Sequence, residues 1–201
     1  MGEDAHADFQ ALLAAIRSCR HCAASLPLGP RPIVQLHPDA PVVIVSQAPG
    51  LRVHRTGIPF DDPSGDRLRS WLGVDRSVFY DARRIAILPM GFCYPGRGPR
   101  GDLPPRPECA PLWHPRVWAQ LRRARLVLLL GRHAIAHYLG RRFGRNLTAT
   151  VRNWRRLPEP YLALPHPSPR NEPWLQANPW FEAELLPALR ARLHALFAGG
   201  G

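Results

Sequence analysis

Four short runs of apolar residues constrain the fold of this chain more than any other feature of its sequence. Proline or glycine follows each run, directly or within a few residues. Short apolar runs bounded in this way are typical of strands that are buried on both faces of a sheet. The four predicted strands are Val42–Val45, Ile85–Leu88, Leu126–Leu130 and Tyr161–Leu164.

Helical spacing of apolar residues separates these runs. Predicted helices cover Ala7–Ser18, a segment from near Ser64 to Leu72, Val117–Arg123, Ala134–Leu139 and a closing amphipathic helix over Pro179–Phe197. Strands that alternate with helices predict an α/β fold with a parallel sheet covered on both faces. The sequence has no internal repeat and no linker, so we expect a single domain over residues 1–201.

Three unusual loops follow predicted strands. They are Ser46–Gly50, a long segment rich in proline, glycine and arginine from Pro89 to Pro111, and Pro165–Pro167. We expect the long segment to be an irregular functional loop. Because active sites of parallel α/β sheets lie beyond the carboxyl ends of the strands, the three loops together predict a site at that edge.

The charge of the chain is strongly positive. The formal net charge is +12, and all 27 basic residues are arginine. A biased genome explains the absence of lysine but not the excess of positive charge, which favours a nucleic-acid partner. Without lysine, no side-chain amine can form a Schiff base.

Membrane and secretory signals are missing from the sequence. No apolar run approaches the roughly 20 residues of a membrane span. The polar, acidic segment Met1–His6 is unlike a secretory signal. We expect a cytoplasmic protein that works as a monomer and does not contact membranes.

The four cysteines predict a metal site. Cys19 and Cys22 form a Cys-x2-Cys pair, and Cys93 and Cys109 belong to the long loop. Four cysteines suit one four-ligand site, either an iron–sulfur cluster or structural zinc. The alternatives are disulfides, which a reducing cytoplasm disfavours, and buried free thiols.

Three motifs in order resemble the uracil-DNA glycosylase superfamily, and most closely its iron–sulfur branches. The first motif of those branches, Gly-Glu-Ala-Pro-Gly, is followed by Gly-x-Pro-Phe and a Gly-containing helix start, and the second motif is His-Pro-Ser-Pro. The matching segments here are Ser46-Gln47-Ala48-Pro49-Gly50, Gly57-Ile58-Pro59-Phe60, Ser64-Gly65 and His166-Pro167-Ser168-Pro169-Arg170. With the cysteines, the resemblance runs from Cys19 to about Asn171.

The resemblance implies a fold, a cofactor and a reaction. The fold is a three-layer α/β/α sandwich with a mainly parallel four-stranded sheet. The cofactor is a structural 4Fe-4S cluster on the four cysteines, with zinc as the alternative. The reaction is hydrolysis of the bond between deoxyribose and a base flipped out of DNA, as in base-excision repair, by a glycosylase that leaves an abasic site.

The resemblance also implies a catalytic carboxylate. One iron–sulfur branch with a broad substrate range carries an essential Asp in Gly-Asp-x-Ser-Gly, and Asp62 precedes Ser64-Gly65 here. A carboxylate at this point would orient water and stabilise the sugar cation. The spacing from phenylalanine to serine is one residue shorter than in that branch, so Asp61 stays a second candidate. The alternative role of either carboxylate is a helix N-cap.

Base-binding roles follow by the same resemblance. Gln47 would position water or bind the base, and Ala48 stands where the uracil-specific enzymes keep a catalytic Asp. His166 would donate to the base oxygen that becomes anionic, or else be only a turn residue. Phe60 would stack on the flipped base, or else pack in the core.

DNA-binding roles are implied for the residues after His166. Ser168 and Pro169 would contact the phosphate backbone. Arg170 stands where other members insert an apolar wedge into the duplex, and would fill the vacated stack, bind phosphate or remain solvated.

One departure bears on the substrate. Uracil-specific iron–sulfur relatives keep an Asn after the second strand to read the base edge, and Pro89 occupies that place. Proline offers no donor there, so a broader range of deaminated or modified bases is expected. The rival interpretations are a non-catalytic binder of damaged or single-stranded DNA on the same fold and, more weakly, a small-molecule hydrolase.

Overall fold

A four-stranded parallel sheet forms the centre of the protein. The computed structural model describes residues 2–99, 101–141, 143 and 146–199, with side chains from residue 6 onward. The sheet strands are β1 Val42–Val45, β2 Ile85–Ile87, β5 Leu126–Leu130 and β6 Tyr161–Leu164, in the order β2-β1-β5-β6. Every pairing is parallel, which confirms the four predicted strands and their direction.

The sheet is almost entirely buried, as its composition requires. Every residue of β1, β2 and β5 is buried. Val43 of β1 pairs with Ala86 of β2 and with Val127 of β5, so the apolar side chains of the three strands form continuous rows on both faces. Strands that are apolar throughout need helices on both sides to exclude water.

Helices and a small hairpin fill the connections between strands. The helices are α1 Gly2–Arg17, α2 Leu51–Thr56, α3 Pro63–Leu72, α4 Arg76–Phe79, α5 Cys109–Trp118, α6 Gly131–Tyr138, α7 Leu147–Arg152, α8 Glu172–Ala177 and α9 Leu186–Ala198. The antiparallel hairpin pairs β3 Arg97–Gly98 with β4 Gly101–Asp102. No helix among the described residues is both long and apolar enough to cross a membrane.

The helices form two layers. The connection from β1 to β2 carries α3, and the connection from β2 to β5 carries α5 and runs back past β1 in the opposite direction. Since such crossovers are right-handed, α3 and α5 lie on opposite faces of the sheet. Helix α9 packs against α3 and helix α1 against α5. The expected three-layer α/β/α sandwich is therefore confirmed.

Two helical segments differ from the sequence prediction. Helix α5 begins at Cys109 and ends at Trp118, whereas helix was predicted only from Val117. Pro111 and Pro115 hid it. Pro111 lies in the first turn, where proline lacks only an N–H that has no helical partner, whereas Pro115 lies inside the helix. The closing segment begins with a π-helical turn, Phe181–Leu185, before α9.

Candidate active site

One pocket of about 400 Å³ opens at the carboxyl edge of the sheet. The loops after β1, β2 and β6 enclose it together with the segment that leads into α3. Its lining includes the sequence candidates Gln47, Ala48, Phe60, Asp62, His166, Ser168 and Arg170, and also Pro89. The volume falls within the range of small-molecule sites. Asp61 and Pro169 do not line this pocket.

Asp62 is both a helix cap and part of the pocket wall. Its Oδ1 accepts a hydrogen bond of 2.8 Å from the backbone N–H of Gly65, which caps α3. Burial raises the pKa of this carboxyl, while the backbone N–H groups of Gly65 and Ser64 and the charge of Arg52 act in the opposite direction. The cap therefore fixes a partly desolvated carboxylate at the pocket.

Asp61 has a different environment. Its carboxylate pairs with Arg76 at 3.3 Å, and the Arg76 side chain is 58% exposed. The pair lies outside the pocket lining. Of the two adjacent carboxylates, only Asp62 lines the pocket.

Phe60 is held in a strained backbone conformation at the pocket wall. Its φ of 57° lies in the left-handed region, which is uncommon for a residue other than glycine. The conformation brings its carbonyl oxygen against the first turn of α3, where a Cβ at Gly65 would overlap that oxygen. Its ring meets the Phe79 ring edge-on at 6.0 Å between centroids. Phe60 thus belongs to the core and the pocket together.

His166 is neutral and its tautomer is defined by one hydrogen bond. Burial lowers the pKa of His166 to about 4. The backbone N–H of Ser168 donates to its Nδ1 at 3.2 Å, and the Asn171 side chain donates to its backbone oxygen at 2.6 Å. Since Nδ1 accepts, the neutral ring carries its proton on Nε2. The ring is therefore a hydrogen-bond donor that holds no net charge.

Backbone hydrogen bonds join the first two loops around Gln47. The N–H of Gly91 donates to the carbonyl oxygen of Gln47 at 3.0 Å, and that of Met90 donates to Ser46 at 2.8 Å. Gln47 and Ala48 therefore lie on a loop that the neighbouring loop supports. Gln47 also lines a groove next to the pocket.

The residues after His166 form the rim of the pocket. Ser168 caps a short turn over Pro169–Asn171, because its Oγ accepts from the N–H of Arg170 at 3.3 Å. The guanidinium of Arg170 lies against Gly101 of the hairpin, where a Cβ would overlap it. Pro169 is exposed. Arg170 thus packs across the rim onto β4.

Pro89 lies in the wall and its only polar group already has a partner. Nε2 of His114 bonds to the Pro89 carbonyl oxygen at 2.9 Å, and Nδ1 bonds to the Tyr138 hydroxyl at 2.6 Å. The indole N–H of Trp118 donates to the same hydroxyl at 2.7 Å. Burial lowers the pKa of His114 to about 4, so its ring is neutral. The hydrogen bonds therefore all point one way: the Tyr138 hydroxyl donates to Nδ1 of His114, and Nε2 donates to the carbonyl oxygen of Pro89. Pro89 therefore offers apolar surface to the pocket.

Sequence reasoning missed two pocket residues on the hairpin, Asp102 and Leu103. The Asp102 Oδ2 lies 3.3 Å from the position a Cβ on Gly50 would occupy, so the carboxylate reaches across to the loop after β1. The proline- and glycine-rich composition pointed to a functional loop. It did not indicate which side chains fold back over the pocket.

A basic groove adjoins the pocket. Gln47, His166 and Asn171 line both cavities. The remaining lining includes Arg132, His133 and Arg141. Arg132 and Arg141 are exposed, which suits contacts with a phosphate backbone.

The four cysteines line a second, separate cavity with apolar neighbours. All four are free thiols. Burial, with a smaller contribution from the neighbouring thiols, raises the pKa of Cys93 to about 11 and that of Cys109 to about 12. The N–H of Phe92 donates to the Cys109 sulfur at 3.3 Å. No group of three or more His, Cys, Asp or Glu side chains in the described part of the chain is arranged to hold a single metal ion.

A family comparison covers the residues that form the pocket. Residues 33–190 match the family model described as the uracil DNA glycosylase superfamily. The matched segment contains every pocket residue named above and the second pair of cysteines, Cys93 and Cys109. It begins after Cys19 and Cys22. The match covers well over half of the chain, and the protein therefore belongs to the uracil DNA glycosylase superfamily.

Proposed function

We propose that the protein is a monofunctional DNA glycosylase that hydrolyses the N-glycosidic bond of a flipped, deaminated or modified base and leaves an abasic site. Membership of the superfamily supports glycosylase activity in general. The observation that carries the specific proposal is the single pocket that holds Phe60, Asp62 and His166 together.

These three side chains suit the charges that develop in the reaction. When the bond between C1′ and the base nitrogen breaks, its electron pair leaves with the base and the sugar becomes cationic. The Asp62 carboxylate stabilises the cation and takes a proton from the water that attacks C1′. His166 donates from Nε2 to the base oxygen that gains negative charge. A neutral donor does this without a protonation step.

Two further features support hydrolysis without strand cleavage. Gln47 carries an amide, which orients water but is not a base at neutral pH. The chain has no lysine, so no side-chain amine attacks the sugar to begin a lyase reaction. The abasic site is then the end product.

The surface around the pocket supports a DNA substrate. A base must leave the stack before its glycosidic bond is accessible. The basic groove that shares Gln47 and His166 with the pocket provides Arg132 and Arg141 for phosphates beside the flipped nucleotide. The net charge of +12 has the sign that such contacts need.

The wall at Pro89 supports a substrate range broader than uracil. Selection of uracil through an amide needs a donor and an acceptor at the base edge. Pro89 has no donor, and His114 already bonds to its carbonyl oxygen. We infer that base shape, stacking on Phe60 and the oxygen opposite His166 determine which deaminated bases react.

We infer that the four cysteines hold a structural 4Fe-4S cluster. In such a cluster each thiolate binds a different iron, so the four sulfurs need not converge on one point. Zinc, the alternative, needs all of its sulfurs about 2.3 Å from a single ion. Four thiols that line one cavity support a group held by all four cysteines, and the resemblance to the iron–sulfur branches favours the cluster over zinc. When bound, it would supply a cross-link between the segment after α1 and the long loop.

The test of activity is a panel of labelled oligonucleotides. Uracil, hypoxanthine, xanthine, thymine and 5-hydroxymethyluracil are offered in single strands and duplexes, and abasic products are cleaved with hot alkali. We expect release of at least two deaminated bases, and loss of release in His166→Ala. Tight binding to the same oligonucleotides without release of any base would identify a non-catalytic binder instead.

The test of the cofactor is spectroscopic. Protein purified without oxygen should absorb broadly in the visible region and contain iron. Cys→Ser at any of the four positions should abolish that absorbance. A colourless protein with stoichiometric zinc would overturn the assignment.

A further inference from the structure

Leu103 occupies an unusual place for a large apolar side chain. It is 43% exposed, yet it lines the pocket. It follows β4 directly, so the hairpin carries it to the mouth of the pocket. Isolated exposed leucines are ordinary on protein surfaces. Leu103 differs from such residues because it lines the pocket and because the hairpin supports it.

The hairpin holds Leu103 rigidly. Its backbone N–H donates to the carbonyl oxygen of Gly96 at 2.9 Å. A Cβ on Gly98 would lie 3.1 Å from one methyl group of Leu103, and a Cβ on Gly96 would lie 3.5 Å from the other. Both methyl groups therefore lie close to glycine backbone, while 43% of the residue stays exposed.

Arg170 supports the same hairpin from the opposite rim. Its guanidinium lies against Gly101, two residues before Leu103. Arg170 thus packs onto β4. The apolar side chain at the mouth of the pocket is instead Leu103, which belongs to the long loop. The rim combines one leucine with the arginines expected to contact phosphates.

A flipped nucleotide leaves a gap between its neighbours in the duplex. An apolar side chain that enters the gap recovers part of the lost stacking and slows the return of the base. We propose that Leu103 is this wedge: it enters the base stack at the gap while the extruded base occupies the pocket. The inference rests on the proposed function, because it requires a flipped base.

The test compares duplex and single-stranded substrates. Leu103→Ala should lower the single-turnover rate on duplex by on the order of tenfold or more, because unstacking a step requires a few kcal/mol. The rate on a single strand should change less than about twofold, since that substrate needs no wedge. Leu103→Met, which restores an apolar chain of similar volume, should recover most of the duplex rate.

The matched control is Leu28→Ala, because Leu28 is 53% exposed and lies outside the pocket lining. A second readout needs no base release: 2-aminopurine placed beside a uracil in duplex should brighten on binding of the wild type and not of Leu103→Ala. Wild-type protein that brightens the probe but releases no base would refute the proposed function and keep the wedge. The wedge would be overturned if wild type and Leu103→Ala showed the same ratio of duplex to single-strand rate and the same rise in 2-aminopurine fluorescence.

Discussion

The base pocket and the cysteine cavity depend on the same loop, yet they are built in opposite ways. The pocket carries several titratable and amide groups and opens toward solvent, whereas the cavity is lined by cysteines and mostly apolar side chains such as Leu26, Phe92 and Trp113, with His21 and Arg106 beside them. Cys93 and Cys109 lie on either side of the hairpin that carries Asp102 and Leu103. One segment therefore serves both regions.

The two regions also differ in how their side chains are held. Asp62 and His166 are oriented by backbone N–H groups only two or three residues away. The cysteines bring together residues that lie far apart in the sequence, from Cys19 to Cys109. Local support preserves geometry with little effect on global stability, whereas contacts between distant segments contribute to the stability of the whole fold. Substitutions in the two regions should give different combinations of lost activity and lost stability.

The largest effect on activity is expected from Asp62→Asn. Asn caps a helix as well as Asp does, so α3 keeps its cap while the charge at the sugar is lost. Base release should fall on the order of 10²- to 10⁴-fold, with little change in Tm. Asp61→Asn is the control, because Asp61 pairs with Arg76 outside the pocket, and it should keep nearly full activity. A large drop in Tm for Asp62→Asn would contradict the separation of roles.

In contrast to Asp62→Asn, Cys109→Ser should lower the stability of the fold. The sulfur is buried and accepts the N–H of Phe92, so the loss of this group and of anything bound to the four thiols should lower Tm. For a chain of this size each kcal/mol corresponds to about 2–4 °C, and we expect a drop on the order of 10 °C. Ser18→Ala, next to the first cysteine pair, should leave Tm unchanged. Thermal melting followed by circular dichroism measures both; an unchanged Tm for Cys109→Ser would remove the contrast between the regions.

Gly65→Ala should lower both activity and stability. The added methyl would overlap the carbonyl oxygen of Phe60, so the segment from Phe60 to α3 must shift. Overpacking of this kind lowers stability by about 1–3 kcal/mol, and displacement of Phe60 and Asp62 should lower activity in parallel. Gly199→Ala, where the new Cβ would have only ordinary contacts, is the control. Full activity with full stability would show that the strained conformation of Phe60 is unnecessary.

The last effect is a dependence of stability on pH, which needs no substitution. Burial lowers the pKa of His114 and His166 to about 4 from the ordinary value of 6.5. Between these values the unfolded chain binds more protons than the folded one, so stability is complete above about pH 6.5 and falls as the pH decreases toward 4. The free energy of unfolding, measured with urea, should follow this course. The slope should be shallower in His166→Gln, and an identical slope would contradict a neutral His166.

Much of the fold could be predicted from the sequence because its strands are apolar on both faces. The predicted bounds of β1, β5 and β6 match the structure, and β2 is one residue shorter than predicted. Helix α5 was mostly missed because proline lowers helical propensity wherever it stands, while its real effect depends on the position in the helix.

The site could be predicted only where a motif lies close to its strand. Gln47 and His166 lie two residues after the ends of β1 and β6, so the position of each strand fixes the position of its loop. Asp102 and Leu103 reach the pocket through a hairpin in the middle of a long connection, and their contacts are with Gly50, Gly96 and Gly98. Long-range contacts of this kind leave no periodic signal in the sequence. The choice between Asp61 and Asp62 likewise depends on which of these two adjacent carboxylates lines the pocket.

The junction of β5 and α6 has a consequence for how a polymer enters this site. Strand β5 ends at Leu130 and α6 begins at Gly131, so this strand alone in the sheet passes into a helix without an intervening loop. Gly131 has a φ of 77°, and a Cβ there would lie 3.3 Å from that of His166. Gly131 and Arg132 therefore lie in the basic groove beside the pocket, next to His166. On the proposed function, we expect the chain on one side of an extruded nucleotide to leave along this groove, past Arg132, so that a target in the middle of a long strand needs no free end to be engaged.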